Sequence, residues 1–333
     1  MIEYDSAMRK GLCGWLTKNK EQENTMNTFE KAKKFMYRNA RPLDFARWQY
    51  HFENGSREAV LEALAAYQNE DGGFGHALEA DSFNPNSCPI QTWAATEYLR
   101  EAGLTDRTNP IIQGILRYLE SGADFDQSQK QWLNTVPSNN DYPCAVWWKY
   151  DNEKGSSFGY NPTACLAGFA VKYADAGSRL YQMSCEIAKQ AAGWFCAKAP
   201  FKEMHVTNCF IRLYEYCAEA GVQLFDMELF LGKLKEQVSC NISKDTEKWK
   251  TDYCAFPSQF ISSKNSPFYA DNMEIAAAEC RHIKENQLPD GSFTVPWQWY
   301  NDDKGYEIAV NWWKGDIVIK KLLYLKAVEG MQS

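Results

Sequence analysis

Glu79 and Asp81 stand one residue apart in DGGFGHALEAD (71–81), and His76 precedes them in the same segment. Two carboxylates and an imidazole are the groups of general acid–base catalysis, in which one side chain gives a proton and another takes it near neutral pH. The structural use of such carboxylates is to accept hydrogen bonds from loop N–H groups or from a helix start. Tryptophan supplies a second chemistry. Trp147 and Trp148, Trp297 and Trp299, and Trp312 and Trp313 cluster outside the simplest helical stripes. Indole faces lining a cavity stabilise a carbocation or stack against a sugar, whereas the same rings between helices are simply core.

Other chemistries lack their patterns. The four histidines are dispersed, and neither a Gly-x-Ser-x-Gly elbow nor a phosphate-binding glycine motif after a strand occurs. Net charge is −7 with Lys and Arg scattered among Asp and Glu, so no nucleic-acid partner is expected. Eleven cysteines, spread singly from Cys13 to Cys280 without a Cys-x-x-Cys, suit small core fillers better than a disulfide framework. The first twenty residues have no apolar core of signal-peptide length, and no run approaches the roughly 18 apolar residues of a membrane span. A cytoplasmic location with no transmembrane segment is the expectation.

Helices must position the candidate residues. Ile112, Ile115, Leu116 and Leu119 repeat with helical spacing, and Val206, Cys209, Phe210, Leu213, Tyr214 and Cys217 extend such a stripe over three turns. Glycine follows the last periodic residue in REAGL (100–104), ESGA (120–123), ADAGS (174–178) and AEAGV (218–222), each read as a helix stop. Phe83-Asn84-Pro85 and Tyr160-Asn161-Pro162 precede helical segments, with Asn read as a cap. Alternating β-branched runs are nearly absent. The expectation is an all-α protein of roughly ten to twelve helices, given ordinary helix lengths. Its long connections, 69–88, 122–144, 149–160, 241–270 and 288–305, carry most of the candidates.

A repeat organises this pattern. Gln68, Asp71, Gly72 and Phe74 recur at the same offsets as Gln287, Asp290, Gly291 and Phe293, each set closing a helix. The segment resembles the QW repeat of the squalene and hopene cyclases and the related protein prenyltransferase β subunits, with Phe where Trp is usual. DGGFGHALEAD, CAVWWKYDN, YNPTACLAGF and VNWWKGD are similar to segments of uncharacterised bacterial proteins of that superfamily. The resemblance implies an α/α toroid, inner and outer helical rings around a central cavity, formed by residues 1–333 as one domain with 1–25 as an N-terminal segment. It also implies that the eight repeat residues are a structural brace, the glutamine capping a neighbouring helix end while the aromatic ring packs on it.

The chemistry of those families is not reproduced in full. The cyclase acid Asp-x-Asp-Asp is absent, the nearest string being Asp124-Phe125-Asp126-Gln127, and Asp302-Asp303 is not continued to a magnesium-binding Asp-Asp-x-x-Asp. Asp252-x-Cys254 with His282 matches part of a prenyltransferase zinc site, but its surroundings do not, so neither zinc nor magnesium nor another cofactor is expected. Lys314 and Asp316 read as a helix start. The leading expectation is an enzyme acting on an apolar or isoprenoid-like small molecule in an aromatic-lined cavity. Glu79, Asp81 and His76 would be its acid–base groups, and the six tryptophans its binding surface. The alternatives are a carbohydrate-active toroid pairing Glu79 or Asp81 with Asp141, Asp151 or Asp290, and a non-catalytic binding protein on the same fold. The sequence sets no oligomeric state.

Overall fold

The computed structural model describes residues 27–151 and 159–331; the N-terminal segment expected over 1–25 lies outside the described residues. Among the described residues there are eleven α-helices and a single two-stranded sheet, Phe125–Asp126 antiparallel to Gln131–Trp132. The helices are α1 (Thr28–Asn39), α2 (Pro42–Phe52), α3 (Arg57–Ala65), α4 (Pro89–Glu101), α5 (Pro110–Ser121), α6 (Thr163–Tyr173), α7 (Arg179–Lys198), α8 (Met204–Glu219), α9 (Met227–Asn241), α10 (Met273–Glu285) and α11 (Asp303–Tyr324). None is long and apolar enough to cross a membrane.

Local chemistry explains the helix starts. Asn27, Ser56, Ser178, Asp226 and Asp302 each accept a first-turn N–H with their side chain, satisfying donors that have no partner within the helix. Proline at the start of α2, α4 and α5 presets the helical φ. Helix α6 is buried on every residue except Lys172, which requires neighbours on all sides. It packs on α7 and most extensively on α8. Its Gly168 permits this, because an added Cβ would lie 3.1 Å from Leu213 Cα.

Three local readings are corrected by tertiary structure. Asn84 and Asn161 cap no helix: α4 and α6 start at Pro89 and Thr163 without a side-chain cap. Buried Asn84 instead donates to Asn139 Oδ1 and Ser138 Oγ. Gly177 has no positive φ; its N–H is held by Asp175 in the turn before α7. Lys314 and Asp316 lie inside α11, where buried Asp316 accepts from Arg47 at 2.9 Å and pairs with Lys320 at 2.8 Å.

The Asp316 contact belongs to a buried ionic cluster joining α2, α4 and α11. Arg47 bonds Asp44 and Asp316 at 2.9 Å each and Glu101 at 2.7 Å, while Arg41 bonds Asp44 at 3.0 Å. The last long helix also packs on α1 and α2, so the C-terminal part of the chain closes against its beginning.

Both glycine segments make the same contacts. Gln68 Nε2 donates to Gly72 O and to Ile111 O in the first turn of α5 at 2.9 and 3.1 Å. Gln287 Nε2 donates to Gly291 O and to Thr28 O in the first turn of α1 at 3.0 and 2.9 Å. Asp71 and Asp290 each accept the N–H two residues on, and Phe74 and Phe293 are buried. Gly72 and Gly291 share φ of +94°, and a Cβ on either would stand 2.0 Å from a helix carbonyl, that of Gly114 or Lys31.

Strain and overlap add at these glycines, so Gly291→Ala is expected to cost more than about 3 kcal/mol by urea denaturation. Gly193→Ala, in α7 with open space around its Cβ, should move the other way by about 0.5–1 kcal/mol. Equal effects would show that backbone contact at Gly291 is unimportant.

Candidate functional site

The connection between α3 and α4 is a tightly bonded loop. His76 and Ala77 occupy consecutive left-handed conformations, φ +59° and +61°, which cost a non-glycine residue on the order of 1 kcal/mol each. Bonds across the loop offset this: His76 N–H to Asn84 O at 2.9 Å, Arg41 Nη1 to Ala77 O at 2.8 Å, and Leu78 N–H to Gln91 Oε1 at 2.8 Å. Residues 81–83 then run beside 143–145, with Phe83 N–H donating to Pro143 O and Ala145 N–H to Asp81 O, both at 2.9 Å. That pairing delivers Trp148, in the short turn Val146–Trp148, to the neighbourhood of Glu79.

Glu79 and Asp81 come together as an acid pair. Asp81 is 3% exposed, and its Oδ1 accepts the Trp299 indole N–H at 2.6 Å. Burial raises its pKa, while the N–H groups of Trp299, Trp313 and Trp297 act in the opposite direction. Glu79 keeps partial solvent access. Desolvation and the Asp81 charge push its pKa up to about 8, against the pull of the Asp81 amide, Lys320 and the Trp148 indole. Glu79, pushed up to about 8, is therefore the member held protonated at neutral pH, while the Trp299 bond favours the carboxylate form of Asp81 against the effect of burial.

The tryptophans divide by role. Trp299 is fully buried, packs edge-on to Phe83 at 5.4 Å, and lies so close to α11 that a Cβ on Gly305 would meet its ring at 2.5 Å. Trp312 contacts Phe83 at 5.2 Å beneath the Arg41 guanidinium, 5.4 Å from its ring centre. Trp297 and Trp313 meet edge to face at 5.2 Å. The buried indole nitrogens of Trp148, Trp297 and Trp313 complete no hydrogen bond among the described residues, although each acts on a carboxylate of the pair. Trp147 projects outward, 39% exposed.

His76 is not part of this group. It is exposed on the outer side of the loop, bonded to Asn69 Oδ1 at 2.9 Å. Asn69 lines a polar surface hollow of about 420 Å³ with Asp71, Ser87 and Asp124. The Asp252, Cys254 and His282 set is not assembled either. Asp252 accepts from Thr251, Cys254 neighbours Ser243, and His282 packs on Trp249 and Phe256. Among the described residues no three His, Cys, Asp or Glu side chains converge in a metal-binding arrangement. Asp290 holds its own turn and Lys314, and Asp141 is exposed at the end of the turn Pro137–Asp141.

Sequence reasoning missed a second group. Tyr253 packs edge-on to Trp297 at 5.8 Å, and its hydroxyl meets His205 Nε2 at 2.9 Å. It feels the charges of Glu203, Glu79 and Asp81. Glu203 Oε1 accepts the backbone N–H of His205 at 2.9 Å as the cap of α8, while its buried Oε2 has no hydrogen-bond partner among the described residues. Glu79, His205 and Tyr253 share one physical signature. Solvent reaches each of them, yet surrounding protein desolvates each, raising the pKa of Glu79 and Tyr253 and lowering that of His205. The chain matches no protein-family model, no curated protein and no solved structure.

Two outcomes follow. Trp299→Phe leaves Asp81 without its principal donor and is expected to cost about 2–3 kcal/mol, read by urea denaturation; no change would mean that the 2.6 Å bond is energetically idle. Glu79 binds its proton more tightly folded than unfolded, so its contribution to stability is full below its ordinary pKa of 4.5 and is lost as pH rises to about 8. Allowing for solvent access, Glu79→Gln should remove a loss of about 2 kcal/mol over that window. Parallel wild-type and variant stability–pH curves would contradict it.

Proposed function

We propose that this protein is a general-acid enzyme that cleaves an acetal bond in a hydroxylated, sugar-like substrate, Glu79 giving the proton and Asp81 facing the positive charge that develops. One observation carries the reading: Glu79, its pKa pushed up to about 8, stands beside Asp81 in a group of three indole N–H donors that complete no hydrogen bond among the described residues. Buried donors without partners cost free energy that a ligand oxygen recovers. Hydroxyl and ring oxygens supply such acceptors; a hydrocarbon chain does not. The half-buried Trp297 and Trp313 offer ring faces for stacking, and Asp81 suits an oxocarbenium-like transition state.

An α/α toroid is the arrangement we propose for the helices. Its support is the pair of equivalent glutamine contacts on α5 and α1, the packing of α11 on α1 and α2, and the mostly helical scaffold. The isoprenoid alternative draws on the same glutamine segments and on the ring faces. A hydrocarbon such as squalene offers the three indole donors no oxygen, which is why the sugar-like substrate ranks first.

The test is turnover of oligosaccharides and aryl glycosides by the full chain, with Glu79→Gln alongside. The variant is expected to lose about 10³-fold in kcat on oligosaccharides, within the span of general-acid catalysis. It should lose far less on aryl glycosides, whose leaving groups need no proton. Full activity of Glu79→Gln on oligosaccharides removes the assignment. Conversion of prenyl diphosphates or squalene, with no glycoside turned over, removes the substrate class.

A further inference from the structure

We propose that Tyr253, backed by His205 and Glu203, is the second proton-transfer arm of this site and takes the proton of the water that attacks the substrate. The inference rests on the general-acid reading of Glu79 and adds the partner that reading lacks. Acid-catalysed acetal cleavage by water needs two proton movements, one to the leaving oxygen and one from the nucleophile. Neither Asp141 nor Asp290 supplies the second. Asp141 is exposed at the end of its turn, and Asp290 is committed to Ser292 and Lys314.

The geometry meets the requirements of a relay. The Tyr253 hydroxyl and His205 Nε2 are 2.9 Å apart, a hydrogen-bond distance along which a proton passes directly. Trp297 joins this arm to the acid pair, since its ring contacts Tyr253 at 5.8 Å and its N–H acts on Asp81. Tyr253 is 51% exposed, so water reaches its oxygen. Glu203 and Tyr253 are the titratable groups facing His205, and the Glu203 carboxylate favours an imidazolium. Desolvation by the surrounding protein lowers the His205 pKa and raises that of Tyr253, favouring the neutral states in which Tyr253 donates to His205 while its own oxygen accepts.

The step balances. A water oxygen forms the new C–O bond at the acetal carbon as the old C–O bond breaks, and the departing oxygen takes the Glu79 proton. The water proton passes to the Tyr253 oxygen, and the phenolic proton passes to His205 Nε2. Return of the His205 proton to solvent and reprotonation of Glu79 restore the resting site, with hydrolysis as the net reaction.

Tyr253→Phe and His205→Gln, assayed in the full chain on the same glycosides, are expected to lower kcat about 100-fold with KM changed less than threefold. His205→Gln should also remove the acidic limb of the kcat/KM profile. Azide needs no base, so its addition should restore turnover in Tyr253→Phe and give the glycosyl azide. Wild-type kcat in both variants with Glu79→Gln inactive overturns the relay and leaves the general acid standing. An active Glu79→Gln overturns both. Independently of any substrate, the NMR titration of His205 should move in Tyr253→Phe, and an unchanged titration overturns the relay.

Discussion

The hydrogen bond from the Trp299 indole to the buried Asp81 carboxylate is the contact on which the site depends. It joins residues 218 positions apart at 2.6 Å, and a charge this deep is tolerable only with a donor of that quality. Each partner follows a glutamine–glycine segment at nearly the same distance, Asp81 thirteen residues after Gln68 and Trp299 twelve after Gln287. The two segments have the same backbone geometry and continue into unlike sequences. Those unlike continuations meet each other through the Trp299–Asp81 bond.

Rigidity around that contact comes from charge as well as packing. Arg47 is completely buried and divides its guanidinium among Asp44, Asp316 and Glu101, drawing α2, α4 and α11 to one point. Breaking a buried pair leaves an unpaired charge at a cost of several kcal/mol, so the cluster resists sliding of α11 past α2. Since α11 carries Trp312 and Trp313 one to two turns before Asp316 and Lys320, their placement is fixed by the same charges. The aromatic wall and the ionic cluster are two uses of one helix.

What the sequence made legible had strong local rules behind it. The helical scaffold followed from periodicity. The glutamine and glycine positions followed from a spacing in which the backbone tolerates no Cβ at Gly72 and Gly291. Glu79 and Asp81 were legible as neighbours in one loop. The errors arose where a residue with a common local use was taken up by distant partners. Asn84 looks like a cap and is an interior donor to Asn139, and Lys314 and Asp316 look like a helix start and lie within α11, Asp316 on Arg47. Tyr253, His205 and Glu203 were invisible because His205 and Glu203 are ordinary residues at the start of α8 and Tyr253 lies on a distant stretch of chain. Only the fold brings Tyr253 to Trp297 and His205. Their nearest sequence signal is Asp252-Tyr253-Cys254, in which the outer two residues carry the metal-ligand pattern.

His76 marks how finely the loop discriminates between its two sides. It is separated from Glu79 by Ala77 and Leu78, and the two consecutive left-handed residues at 76 and 77 reverse the chain between them. The imidazole is thereby turned out to Asn69 while the carboxylates that follow turn in toward the tryptophans. An imidazole inside would compete with Trp299 for Asp81 and, once protonated, would abolish the repulsion that keeps the proton on Glu79. The left-handed pair at 76 and 77 thus keeps the nearest base away from two carboxyls whose pKa values burial raises.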